Sequence, residues 1–149
     1  MKIELRKVSH YPRLSRETEA FNADVYVNDV KRGTVENEGH GGPNNIDPWE
    51  LGLEVETYAK TLPPEPPSPG MESYGPFRIT GDYLISKILS NHLIEKDIKK
   101  AFKTKTLFVT GDGKLYEMRL PHRPTESEAR ILNDMPLTEA IKLYSSGGK

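Results

Sequence analysis

The sequence predicts an α+β domain: an antiparallel or mixed sheet of about five strands, with helices packed on one face. Three observations carry that reading. In residues 20–28, Phe21, Ala23, Val25 and Val27 alternate with Asn22, Asp24, Tyr26 and Asn28, the period-two pattern of a half-buried strand. Leu84, Ile85, Ile88, Leu89 and Leu93 recur at helical spacing. The strand-like segments come in groups instead of alternating singly with helices, which favours an antiparallel sheet over a parallel βαβ arrangement.

The elements follow in order. Ile3 and Leu5 alternate with charged neighbours in a short strand that Tyr11-Pro12 ends. After the strand at 20–28, Asn28-Asp29 makes a turn and residues 31–37 return as a partner strand with Val35 inward. A glycine-rich loop, Glu38-Gly39-His40-Gly41-Gly42-Pro43-Asn44-Asn45, leaves its end. Asp47-Pro48-Trp49-Glu50 reads as a helix start, with Asp47 as the cap and Pro48 at the first helical position. Trp49, Leu53, Val55 and Tyr58 then share a broad face. Residues 62–76 form a Pro-rich linker inside a single domain of residues 1–149, its proline run stiff and extended.

A second helix covers 82–93, and Ile94, Ile98, Ala101 and Phe102 continue its apolar stripe beyond a bend near Asn91. Gly111-Asp112-Gly113-Lys114 separates two short apolar segments as a hairpin turn, because Asp-Gly supplies the positive φ such turns need. Thr125 and Glu128 read as a capping box opening a short helix. Pro136 introduces a last helix with Leu137, Ile141 and Tyr144 on one side, and residues 145–149 read as a flexible tail.

Composition narrows the function classes. The chain has 149 residues, 35% hydrophobic content, a mean hydropathy of −0.65 and a formal net charge of −1. That charge supplies no global attraction to nucleic acid or anionic membrane, so such binding needs a local patch. With no cysteine there is no disulfide framework and no thiolate metal site. The charged N-terminus does not read as a signal peptide, and no apolar run approaches a membrane span, so a soluble cytoplasmic protein is expected.

Ala23-Asp24-Val25-Tyr26-Val27-Asn28, then Gly33-Thr34-Val35, then Asn37-Glu38-Gly39-His40-Gly41-Gly42-Pro43-Asn44 resembles a pattern in a family of small hypothetical proteins of bacteria and their phages. The later run Leu93-Ile94-Glu95-Lys96-Asp97-Ile98-Lys99-Lys100-Ala101-Phe102 looks like that group too. The resemblance covers most of the chain outside the Pro-rich linker and the tail. It departs at Asp29-Val30, where the pattern carries a turn glycine. It implies that His40 and its glycines are a family feature and that the protein has a phage or mobile-element accessory or inhibitor role. No activity, cofactor or metal comes with it.

The glycine loop is the candidate site. Backbone N–H groups of Gly39, Gly41 and Gly42 offer a nest for an anion, and His40 offers a proton donor or acceptor. Asn44, Asn45 and Trp49 extend the surface toward a host protein or a small anionic ligand. The plainer alternative is a tight loop in which His40 pins the hairpin to the following helix. A hydrolytic alternative uses His40 as general base or metal ligand with Glu36, Glu38 or Asp47 beside it. A third reading is a structural virion component. No nucleophile elbow, P-loop or dinucleotide fingerprint is present. Lys96, Lys99, Lys100 and Lys103 share one helix face, either for phosphate contacts or as a solvated surface.

Overall fold

A computed structural model describes residues 1–125 and 128–147. The architecture is α+β, with three α-helices and two antiparallel sheets of four and three strands among the described residues. The strands read from the sequence as one sheet are thus divided between two. The chain forms two compact units, residues 1–89 and 90–149.

In the first unit, β1 (Ile3–His10), β2 (Phe21–Val27), β3 (Val30–Asn37) and β4 (Asn45–Asp47) pair in sequence order. The alternation read from β2 is observed: Phe21, Ala23, Val25 and Val27 are buried. Asn28 and Asp29 both adopt positive φ, 50° and 67°, between the paired Val27 and Val30. Short polar side chains tolerate that region, so the turn closes without the glycine of the resembling pattern.

Gly33 sits where β3 passes under the backbone leading into α1 (Trp49–Thr61). A Cβ there would strike the Asp47 carbonyl oxygen and lie 2.9 Å from Pro48 Cδ and Leu51 Cδ2. That close approach sets the helix phase. Leu51, Val55 and Ala59 are buried, four residues apart on one stripe. Trp49 and Leu53 instead stand 67% and 55% exposed, which corrects the face expected from the sequence. Asp47 does not cap the helix either. It pairs with Thr34 in β4, and Pro48 occupies the cap position with no side-chain hydrogen bond.

The Pro-rich segment is tied to the first unit at two points. Glu65 and Phe77 exchange backbone hydrogen bonds of 3.0 and 2.9 Å. The Glu65 carboxylate accepts from Tyr83 Oη at 2.6 Å and pairs with Lys87. Lys87, then Tyr83, holds that carboxyl below the usual range, and the same hydrogen bond pushes the Tyr83 phenol up to about 12. Phe77 packs edge-on against Tyr83, with ring centroids 5.2 Å apart.

Tyr83 and Lys87 lie on α2 (Gly81–Phe102), an unbroken helix of 22 residues where a bend near Asn91 was expected. Its residues to Leu89 belong to the first unit and those from Ser90 to the second. In the second unit, β5 (Lys105–Val109) lies between β6 (Leu115–Arg119) and β7 (Arg130–Ile131). The hairpin turn is as read: Gly113 has φ of 77°, and Asp112 accepts from Thr110 Oγ1, Lys114 N and Tyr116 Oη. Those bonds, Thr110 foremost, lower the Asp112 carboxyl to about 2.

The capping box at Thr125 falls partly outside the described residues. Beyond Glu128 the chain forms β7 and a 3₁₀ turn, Leu132–Asp134, in place of the expected helix. Asn133 explains the difference, since its amide accepts from Leu107 N at 2.9 Å and donates to Lys105 O at 3.0 Å, fastening this segment along β5. Leu107, Val109, Leu132 and Ala140 form the core, packed by side chains that include Phe102, Leu115 and Tyr144. The last helix, α3 (Leu137–Gly147), runs through part of the segment read as a tail, and residues 148–149 lie outside the described chain.

Candidate functional site

The glycine loop joins the end of β3 to β4, and its organiser is Asn37. Period-two alternation places Asn37 inward beside Val35, and its side chain is buried. A buried primary amide must satisfy two donors and an acceptor. Asn37 Oδ1 accepts from Thr18 Oγ1 and from Gly39 N, both at 2.8 Å. Its Nδ2 donates to Gly42 O at 3.1 Å and to Asn44 Oδ1 at 2.9 Å. One side chain therefore braces both limbs of the loop.

Gly39 is held closely. Its φ is +87°, and a Cβ would meet the Leu14 carbonyl oxygen and lie 3.0 Å from Ala20 Cβ. Its own carbonyl accepts from Arg16 N and Glu17 N at 3.1 Å, joining the loop to the 11–20 connection. Gly41, with φ of +93°, donates its N–H to Thr18 Oγ1 at 3.3 Å. Two of the three N–H groups expected to face an anion are thus engaged within the protein, which corrects the nest.

Asn44 is also committed. Its backbone N–H donates to Asp82 Oδ1 at 2.7 Å, and its Nδ2 donates to Ser86 Oγ at 2.9 Å, latching the loop to the start of α2. His40 is exposed at the tip, and among the described residues nothing hydrogen-bonds its ring, so it does not pin the hairpin to α1. Gly42 and Asn45 are exposed as well. Asn45 pairs with Glu36 in the ladder.

Trp49 does not share the loop. The loop leaves one end of β4 and α1 starts from the other, so about 10 Å of strand separates them at the ordinary rise per residue. Trp49 instead adjoins Leu53, one helical turn along, and Glu54 on the same helix accepts from Arg32 Nη2 at 2.8 and 3.0 Å.

No group of three or more His, Cys, Asp or Glu suited to a metal occurs among the described residues. Among the described residues no carboxylate orients His40, although His10 Nε2 and Glu19 Oε2 lie 2.5 Å apart at the end of β1. Among the described residues no helix is long and apolar enough to cross a membrane.

The basic run is only partly the helix face read from the sequence. Lys99 pairs with Glu95 at 2.8 Å, and Lys103 lies in the turn after α2.

Asn37, Thr18, Asp82 and Ser86 were missed in the sequence. Asn37 had left a signal, a polar residue at an inward strand position, whereas the other three are separated from the loop along the chain. No protein family model matches the chain, and no curated protein or solved structure is significantly similar to it.

Proposed function

We propose that the first unit is a protein-binding module, with Trp49 and His40 as contact residues. The observation that carries this reading is Trp49, 67% exposed beside an exposed Leu53, on a helix whose opposite stripe is buried. Large apolar side chains held in water on a rigid element are the usual anchors of protein interfaces. The braced loop adds His40, exposed and without a side-chain partner among the described residues, and loses little conformational entropy on contact.

Charge favours a protein partner over a small anion. Residues 1–89 carry ten Lys and Arg against fourteen Asp and Glu, a net of −4. A partner with an apolar pocket and a basic rim is complementary to that surface. A phage or mobile-element accessory or inhibitor acting on a host protein accords with this reading and with the sequence resemblance.

The test is retention of proteins from a bacterial extract by the immobilised chain. A species held by the wild type and lost from Trp49→Ala, at unchanged melting temperature, is the expected result. Equal retention by that variant, or no retained species, overturns the proposal. His40→Ala assigns the loop its share.

A further inference from the structure

The Pro-rich segment has a geometry that a passive spacer does not need. Residues 62–76 lie within the first unit, and the Glu65–Phe77 bridge closes them into a loop on it, so they do not connect one unit to the other. Leu62 leaves α1 with φ of −79° and ψ of 146°, the polyproline II values. The pyrrolidine rings then fix φ at Pro63, Pro64, Pro66 and Pro67, and the residue before each proline is held to extended ψ. The run ends in a turn in which Met71 N donates to Ser68 O at 2.9 Å, with Pro69 and Gly70 at its centre and Gly70 at φ of 88°.

Polyproline II has three residues per turn, so residues three apart share an edge. Pro63, Pro66 and Pro69 make up one such edge, and all three are exposed. Leu62 and Glu65 on the second edge are half-buried, as is Pro67 on the third. The second edge carries the fastening, since Glu65 is bonded to Tyr83 and Lys87. The protein thus grips the run by its other edges and turns a row of prolines to solvent, about 19 Å long at the polyproline rise. Among the described residues, nothing hydrogen-bonds the carbonyl oxygens of the exposed Pro63, Pro64 and Pro66.

We propose that residues 62–69 are a docking ligand for a protein domain that reads polyproline II, the edge of Pro63, Pro66 and Pro69 lying in a groove lined by aromatic side chains. Such grooves take a preformed polyproline helix by apolar contact, and Trp N–H or Tyr O–H groups in their walls are donors for its free carbonyls. The fixed φ angles and the Glu65 fastening leave little conformational entropy to lose on docking. Glu65 is the one charged residue of 62–70 and is already paired with Lys87, so recognition runs through shape and apolar contact instead of charge. The ligand is independent of the Trp49 surface, which uses other residues, so either reading can fail alone.

The test is biolayer interferometry of the full-length protein over a panel of immobilised SH3 and WW domains. Binding by at least one domain, little changed by salt, is the expected result. The triple variant Pro63→Ala, Pro66→Ala, Pro69→Ala lowers that affinity about tenfold or more, the loss that follows when interface anchors are cut back. Alanine accepts the backbone angles of the run, and circular dichroism with a melting curve checks that the variant folds. Trp49→Ala leaves the affinity unchanged. Absence of binding to every domain overturns the proposal, as does equal binding by the triple variant or a loss caused by Trp49→Ala.

Discussion

At the scale of single residues, three glycines close together in sequence have unequal jobs, and substitution separates them. Gly39→Ala forces a side chain into the left-handed region and against the Leu14 carbonyl, so a loss of about 2 kcal/mol or more in urea denaturation is expected. Gly42→Ala meets nothing within 4 Å and stays within about 0.5 kcal/mol of wild type. Asn37→Ala strips the partners of its amide and costs about 2 kcal/mol, while His40→Ala leaves the denaturation midpoint nearly unchanged. A loss with His40→Ala as large as with Asn37→Ala would return the histidine to a structural role. Trp49 is the single tryptophan, so its emission reports its own environment. Fluorescence as red as that of free tryptophan, and open to iodide quenching, is expected of the unbound protein, and a blue, shielded emission contradicts the exposed position.

At the scale of elements, the Pro-rich segment shows how a few long-range bonds hold a stretch that carries little regular structure. Glu65 is its fastening, joined to Phe77 through the backbone and to Tyr83 and Lys87 through the side chain. Glu65→Ala removes both side-chain partners, and limited proteolysis between 66 and 76 is expected to accelerate several-fold while cleavage elsewhere does not. The Tyr83 phenol, raised to about 12 in the fold, keeps its proton where the unfolded chain, at about 10, loses it. Its contribution to stability is therefore complete below about pH 10 and disappears as pH rises through about 12. Tyr83→Phe should flatten that part of the stability profile, and an unchanged alkaline limb would show that another group sets it. The sequence made the hairpins and α3 legible, because Asn-Asp, Asp-Gly and Pro136 act within a few residues. It misplaced the start and the face of α1, because β4 pairing claims Asp47 and contact with Gly33 orients the helix by burying Leu51.

At the scale of the whole molecule, charge and strands are both divided between two units. The sequence by itself determined what local physics governs: the period-two alternation of β2, the helical stripe of α2, the glycine turns and the α+β class. Only the tertiary structure decided which strands share a sheet, that Asn37 braces the loop, that Gly39 and Gly41 commit their N–H groups inside the protein, and that Trp49 stands in water. Periodicity reports which face of an element is apolar. Strand partners and hydrogen-bond acceptors lie tens of residues away, and are selected by the packing of the whole chain.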